Sequence, residues 1–279
     1  MHSDRILSLK LLWDFRAQLL QEEKSQVTVD KYMRDVRALL RYAGEEPLSK
    51  ELLMRYKEYL TSHYAVRSVN SMLASVNALL RFMNLSECRV RSIRTQRQTY
   101  SPADRELTRE DYLRLLEASK SRPQLNLLLQ TIGSTGIRIS ELRYFTVEAV
   151  KRGEVSVYCK AKTRRILLPE RLQKRLLDYA RKKAIRSGAI FVTRSGKPLD
   201  RSNVWAQMKR LCAAAGVQAS KVFPHNLRKL FARSFYAVDR DIAKLADLLG
   251  HSSIDTTRIY IMTTGAEHRR KLEQLRLVL

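Results

Sequence analysis

Cysteine is scarce in this 279-residue chain, with Cys88, Cys159 and Cys212 far apart. No CxxC pair or Cys/His ligand spacing occurs. This excludes a disulfide framework and a structural zinc site, and leaves each thiol to fill space as a small apolar group in a reducing cytoplasm. Glycine and proline are few, and the sequence holds no GxxxxGK[ST] loop for nucleotide phosphates. No run approaches the roughly 20 apolar residues of a membrane-spanning helix, and the opening MHSDRILSLKLLWDF carries no signal-peptide pattern. Acidic residues are also short: 28 Asp+Glu against 53 Lys+Arg, a formal charge of +25. An excess of that size repels itself in a compact chain and is most simply balanced by a polyanion, of which nucleic acid fits better than lipid.

The apolar fraction of 44% is that of a globular protein, and the length allows two domains with separate cores. Residues 1–87 read as helices only. From Thr28, taken as a cap, Val29, Tyr32, Met33, Val36, Leu39 and Leu40 recur at helical spacing up to Gly44. Leu52, Leu53, Tyr56 and Leu60 mark a further helix, and Val69, Met72, Leu73, Val76, Leu79, Leu80 and Met83 another. Ser71, Ala74, Ser75 and Ala78 thin that last helix, so that a neighbouring helix or a DNA backbone can approach. Residues 88–106 read as a basic linker containing Arg89, Arg91, Arg94, Arg97 and Pro102, suited to crossing a phosphate backbone. Residues 107–279 read as a mixed domain. Thr108 and Asp111 make a capping-box start, and helical spacing over 124–135 stops at Gly136. EVSVYCK and RRILL form a strand pair across KAKT, AIFVT reads as a third strand closed by RSGKP, and the rest is helical. The expected fold is mainly α with a small antiparallel sheet.

Four segments of the mixed domain carry chemistry. TGIRISEL places Arg138 just after a glycine turn, with Glu141 in the short helix that follows. CKAKTRR presents Lys160 and Lys162 on a hairpin. HNLR sets His225 and Arg228 three apart, hence on one helical face. LGHSSIDTTRIY puts His251 at a glycine turn and Tyr260 nine residues on. Arginine forks match phosphate oxygens, imidazole carries a proton near neutral pH, and a phenol can attack phosphorus.

In this order, TGxRxSEL, HxLR and LGHSSxxTTxxY resemble the tyrosine site-specific recombinases of the phage integrase, Xer and Cre type. The resemblance is strong over 105–279 and weaker over 1–100. It implies an all-helical SAM-like core-binding domain and a mixed α/β catalytic domain that together clamp DNA. Carried over, the catalytic set is Arg138, Lys160, His225, Arg228 and His251, with Tyr260 as nucleophile. Such an enzyme uses no metal and no cofactor, because the bond energy is stored in a 3′-phosphotyrosyl link. Two arginines and a histidine stabilise charge on the phosphate, Lys160 protonates the leaving 5′ oxygen, and His225 takes and returns the tyrosine proton. The hairpin is one residue shorter than the family's usual form, so Lys162 competes with Lys160 for that role. Lys229 stands where relatives often carry a second histidine, and implies an added phosphate contact.

The partners implied are double-stranded DNA with inverted-repeat core sites and, in synapsis, a homotetramer that passes through a Holliday junction. The tetramer would be linked by the C-terminal segment AEHRRKLEQLRLVL, with Leu272, Leu275 and Leu279 at helical spacing. The short stretch before the helical domain suggests a simple Xer- or Cre-like system without an arm-binding domain. Two other readings stay open: a type IB topoisomerase-like DNA relaxase, and a DNA-binding protein that has lost catalysis.

Overall fold

The computed structural model describes residues 5–96, 105–159, 162–193, 195–275 and 277, with the backbone alone for Cys159 and Lys162. The chain divides into two compact units, 1–97 and 98–279.

The first unit packs α1 (Leu9–Gln21), α2 (Gln26–Ala43), α3 (Lys50–His63) and α4 (Val66–Phe82) around Phe15, Val36, Leu53, Tyr56 and Val76. Helix α2 starts earlier than its apolar stripe suggests. Ser25 is the N-cap, and its hydroxyl accepts from Thr28 N at 3.3 Å, so Thr28 lies inside the first turn. The cap is chosen by the free hydroxyl at the chain reversal, not by the first apolar position. One charge is buried here: Asp35, 2% exposed, accepts from Ser75 Oγ of α4 at 2.9 Å and pairs with Lys31 at 2.9 Å and Arg34 at 3.3 Å. The small Ser75 lets α2 and α4 close on this clasp.

Much of the basic stretch after residue 87 belongs structurally to this unit. Cys88 and Val90 are buried, while Arg89, Arg91 and Arg94 face outward. Two asparagines of α4 hold its backbone. Asn77 bonds both the N–H and the carbonyl of Val90, and Asn70 bonds both polar groups of Ile93. An amide side chain can replace a strand as hydrogen-bonding partner, which sequence periodicity does not reveal. Arg97 and Pro102 lie outside the described residues.

The second unit opens with α5 (Arg109–Ala118), whose Thr108–Asp111 capping box is formed, and α6 (Pro123–Thr135), which ends at Gly136. A 3-10 turn (Ile139–Tyr144) and α7 (Val147–Lys151) lead into β1 (Glu154–Cys159) and β2 (Lys162–Leu167). These strands pair antiparallel from Glu154↔Leu167 to Cys159↔Lys162, leaving a two-residue connection where the sequence suggested four. Lys160 falls in that connection, outside the described residues.

AIFVT is not a third strand. Ile190 and Phe191 are fully buried, but the segment makes only single bridges, Thr146↔Ala189 and Val192↔Pro198. Its apolar run reflects burial against the core; with no strand alongside, neighbouring loops satisfy its backbone one bond at a time.

Then come α8 (Glu170–Lys182), α9 (Arg201–Ala215), α10 (Pro224–Val238), α11 (Ile242–Leu249), α12 (Ile254–Ile261) and α13 (Gly265–Gln274). The main core gathers Leu129, Ile132, Phe145, Phe191, Val204 and Leu227, and a smaller one joins Ala232, Leu245, Leu249 and Tyr260. Among the described residues no helix is long and apolar enough to cross a membrane.

Candidate active site

The site is built around two helix ends. Helices α6 and α11 both stop at a glycine in the left-handed conformation, Gly136 (φ 63°) and Gly250 (φ 63°). Both positions are also sterically closed to a side chain. A Cβ on Gly136 would stand 2.3 Å from the Phe231 ring, and one on Gly250 would stand 2.7 Å from Arg164 Cδ. Helix ends leave carbonyls unpaired and partially negative, and arginines gather on them here.

Helix α10 begins with Pro224, whose fixed φ suits a first helical position, so His225 and Arg228 fall in its opening turns. Arg228 is 2% exposed, yet its guanidinium is held by carbonyls instead of a carboxylate. Nη1 donates to the Gly136 carbonyl, and Nη2 donates to the Leu249 carbonyl at 2.5 Å and to His251 Nε2 at 3.0 Å. Arg164 of β2 donates to the Leu248 carbonyl, and Arg138 to the Gly250 carbonyl at 3.4 Å. Three successive carbonyls at the end of α11 thus receive three arginines from three different elements. Glu141, 2% exposed, is the carboxylate of the group and bonds both Arg138 (3.0 Å) and Arg164. It also accepts from the Arg138 backbone N–H at 2.7 Å. Three full positive charges therefore face one negative, and burial, with Arg138 next in weight, pushes Arg228 down to about 10.

Tyr260 lies in α12 one turn after Thr257, and both are buried. The Tyr260 hydroxyl is 3.3 Å from His225 Nδ1, and its ring meets the His225 and His251 rings at 4.9 Å each. The Arg228 guanidinium carbon is 5.8 Å from the tyrosine ring centroid. His251 Nδ1 is 2.9 Å from Thr257 Oγ1. Because Arg228 can only donate, His251 Nε2 must accept and Nδ1 carries the hydrogen given to Thr257. Both imidazoles are pushed down to about 4. For His225 desolvation leads, followed by Lys229, Arg228, Arg138 and Arg201; for His251 desolvation is followed by Arg228, Arg138 and Arg164. One edge of His225 nevertheless remains open to solvent. At neutral pH both rings are uncharged, and His225 is able to accept a proton. Beside them opens a cavity of about 740 Å³ lined by Arg138, Arg143, Arg201, Trp205, His225 and Arg228.

Five of the six candidates from the sequence, Arg138, His225, Arg228, His251 and Tyr260, converge on this cluster, while Lys160 is outside the described residues. Lys162 is a ladder position, paired with Cys159. Half-buried Lys229 has its ammonium destabilised by burial and is the largest of the cationic influences on His225. Two residues went unread in the sequence. Arg164 shares a strand face with buried Ile166 and sits opposite buried Val157. An arginine in phase with core positions was the available signal, lost in a run of basic residues. Thr257 lies three residues before Tyr260, hence on the same helical face. Among the described residues no group of His, Cys, Asp and Glu could hold a metal ion.

Residues 105–267 match the phage integrase family. Tyrosine recombinase XerA of Pyrococcus furiosus is 27% identical, with 99% of this chain and 97% of that protein covered. XerA of Thermococcus kodakarensis is 30% identical over 95% of this chain and 94% of the relative. In structure, a lambda integrase dimer bound to a COC' core site superposes with a TM-score of 0.74 at 19% identity, over 93% of this chain and 79% of that one. A crystal structure of XerA recombinase gives 0.55 at 24%, over 97% and 99%. The sequence match spans most of the mixed unit and the fold is shared along nearly the whole chain: this chain belongs to the phage integrase family and is a tyrosine recombinase.

Proposed function

We propose that this recombinase cuts and rejoins duplex DNA at specific sites through Tyr260, acting within its own subunit. The observation that carries the proposal is the Tyr260 hydroxyl, 3.3 Å from a neutral imidazole nitrogen and beside an under-neutralised arginine cluster. The scissile phosphate would sit in the cavity lined by Arg138, His225 and Arg228. Tyr260 Oη bonds to phosphorus as its proton passes to His225 Nδ1, and the bond from phosphorus to the 5′ oxygen breaks. Charge growing on the non-bridging oxygens is met by Arg138 and Arg228, with His251 Nε2 accepting from Arg228 and so orienting that guanidinium, and an oxyanion donor of this kind contributes about 2.7–4 kcal/mol. The 5′ oxygen takes its proton from Lys160, which the pairing Cys159↔Lys162 leaves in the hairpin connection. Glu141 orients Arg138, and Thr257 sets the His251 tautomer. Reversal with a different 5′ hydroxyl rejoins the strand, with no call on metal or ATP.

DNA with inverted core sites is the proposed substrate, gripped by a helical core-binding domain (1–87), the basic segment 88–106 and the catalytic domain (107–279). A cleft between α2 and α4, where Arg41 and Arg67 stand beside the Lys31–Asp35–Arg34 clasp, supports phosphate contact by the first domain, and outward Arg89, Arg91 and Arg94 add further cations. Strand exchange would proceed in a tetramer through a Holliday junction. Helix α13 buries none of its residues and leaves Leu272 and Leu275 exposed, which favours an exchange helix over a relaxase that acts alone.

The test is Tyr260→Phe on a nicked suicide duplex. Specific binding should persist and the covalent protein–DNA adduct should vanish; a surviving adduct would overturn the nucleophile. Adduct formation should also be unchanged in EDTA, and a metal requirement would overturn the mechanism.

A further inference from the structure

A chain of contacts runs from the cavity to the root of the hairpin. Arg143 lines the cavity beside Arg138 and His225. Its Nη2 donates to the Tyr144 hydroxyl at 3.0 Å, and its guanidinium carbon lies 4.9 Å from the Tyr144 ring centroid. The Tyr144 hydroxyl in turn donates to the Tyr158 carbonyl at 3.0 Å, and the two tyrosine rings meet at 6.1 Å. Both bonds run in one direction, so each strengthens the other.

The last link falls at a telling place. Tyr158 is the penultimate residue of β1, two positions before Lys160. In an antiparallel ladder alternate residues turn their polar groups away from the partner, and a two-stranded sheet offers those groups no further strand. Tyr144 takes one such carbonyl where β1 gives way to the connection. The other leg is tied too, through Arg164 of β2 to Glu141 and the end of α11. Both legs of the hairpin are therefore anchored to the walls of the site, one by Arg164 and one by Tyr144.

We propose that Tyr144 is a positioning residue for the hairpin lysine: its hydroxyl, oriented by Arg143, pins β1 so that the proton reaches the leaving 5′ oxygen from a set direction. This rests on the reading of that lysine as general acid. The alternative role is packing alone, which Tyr144→Phe preserves.

Sulfur in place of the bridging 5′ oxygen separates the two. A thiolate, with a conjugate acid near the pKa of about 8.5 seen for cysteine, departs without a proton donor, whereas an alkoxide does not. The probe is a nicked duplex chosen from a random-sequence pool by binding to the full chain, with the cleavage position mapped from the adduct and then made with oxygen or sulfur there. Single-turnover adduct rates and thermal melting are measured for wild type, Tyr144→Phe, Lys160→Ala and Lys162→Ala. Tyr144→Phe should melt like wild type, cut the oxygen duplex about 10-fold more slowly and cut the sulfur duplex at close to the wild-type rate. Equal slowing on both duplexes, with Lys160→Ala restored by sulfur, would overturn the role of Tyr144 while leaving the lysine's intact. If sulfur restores Lys162→Ala and not Lys160→Ala, the general acid is Lys162 and the positioning role stands. Restoration of neither lysine variant removes the general-acid reading, and the inference with it.

Discussion

Both units bury charge, and the buried Asp35 of one and the buried Arg228 of the other are held in opposite ways. In the helical unit the carboxylate of Asp35 meets Lys31, Arg34 and the Ser75 hydroxyl, so its demand is met from within. In the catalytic unit the guanidinium of Arg228 leans on carbonyls at two helix ends, while Arg138 and Arg164 crowd the same place and share one carboxylate. The first arrangement is closed and holds two helices together. The second is left with positive charge to spare, at the cost of stability, and that surplus is what a phosphodiester can neutralise. A buried charge signals function when its balance must come from outside the chain.

That contrast can be broken experimentally. Arg228→Lys keeps a cation but loses the planar fork that spans Gly136 and Leu249. Adduct formation should fall by about 10²–10³-fold in a single-turnover assay, and a drop of less than tenfold would show that the fork is dispensable. Asp35→Asn should instead lower stability by about 2 kcal/mol in urea unfolding, a discounted value because Arg34 is largely exposed, and leave the cleavage rate of bound DNA unchanged. A slowed chemical step would mean that the clasp is not merely structural.

Acid should find the catalytic unit first. His251 titrates near 4 in the folded chain against 6.5 ordinarily, so between those values the unfolded chain binds a proton that the folded one does not. The share of stability linked to His251 should therefore fall as pH drops from about 6.5 and level off below about 4, and His251→Gln should flatten the dependence between those values in thermal melts. His225 adds in the same direction, but less, since solvent screens its open edge. The smallest effect expected is from Leu272→Ala with Leu275→Ala, which should weaken two-site synapsis while leaving single-site binding in gel shifts intact; equal loss of both would assign α13 to its own subunit.

Much of the site was legible because its chemistry is local. Arg138 follows a glycine that stops a helix, His225 and Arg228 share a helical face, and Tyr260 lies a fixed distance beyond Gly250. What escaped depends on partners distant in the chain. Arg164 looks like one more basic residue until β2 is paired and its inward phase appears. The stretch 88–93 reads as linker because its composition is basic and polar, yet Asn70 and Asn77 bond its backbone as a strand would. AIFVT has the composition of a strand but no neighbour to pair with. Alternation and charge report local preference; pairing is decided by what arrives alongside.

Helix α11 contributes no side chain to the chemistry, yet its last carbonyls hold Arg138, Arg164 and Arg228. A scan of its exposed positions would register little. Adding or deleting one residue within it would swing those carbonyls by about 100° and scatter all three guanidinium groups at once. The enzyme is keyed to how many residues the helix has before Gly250, because only whole turns return those carbonyls to the same side.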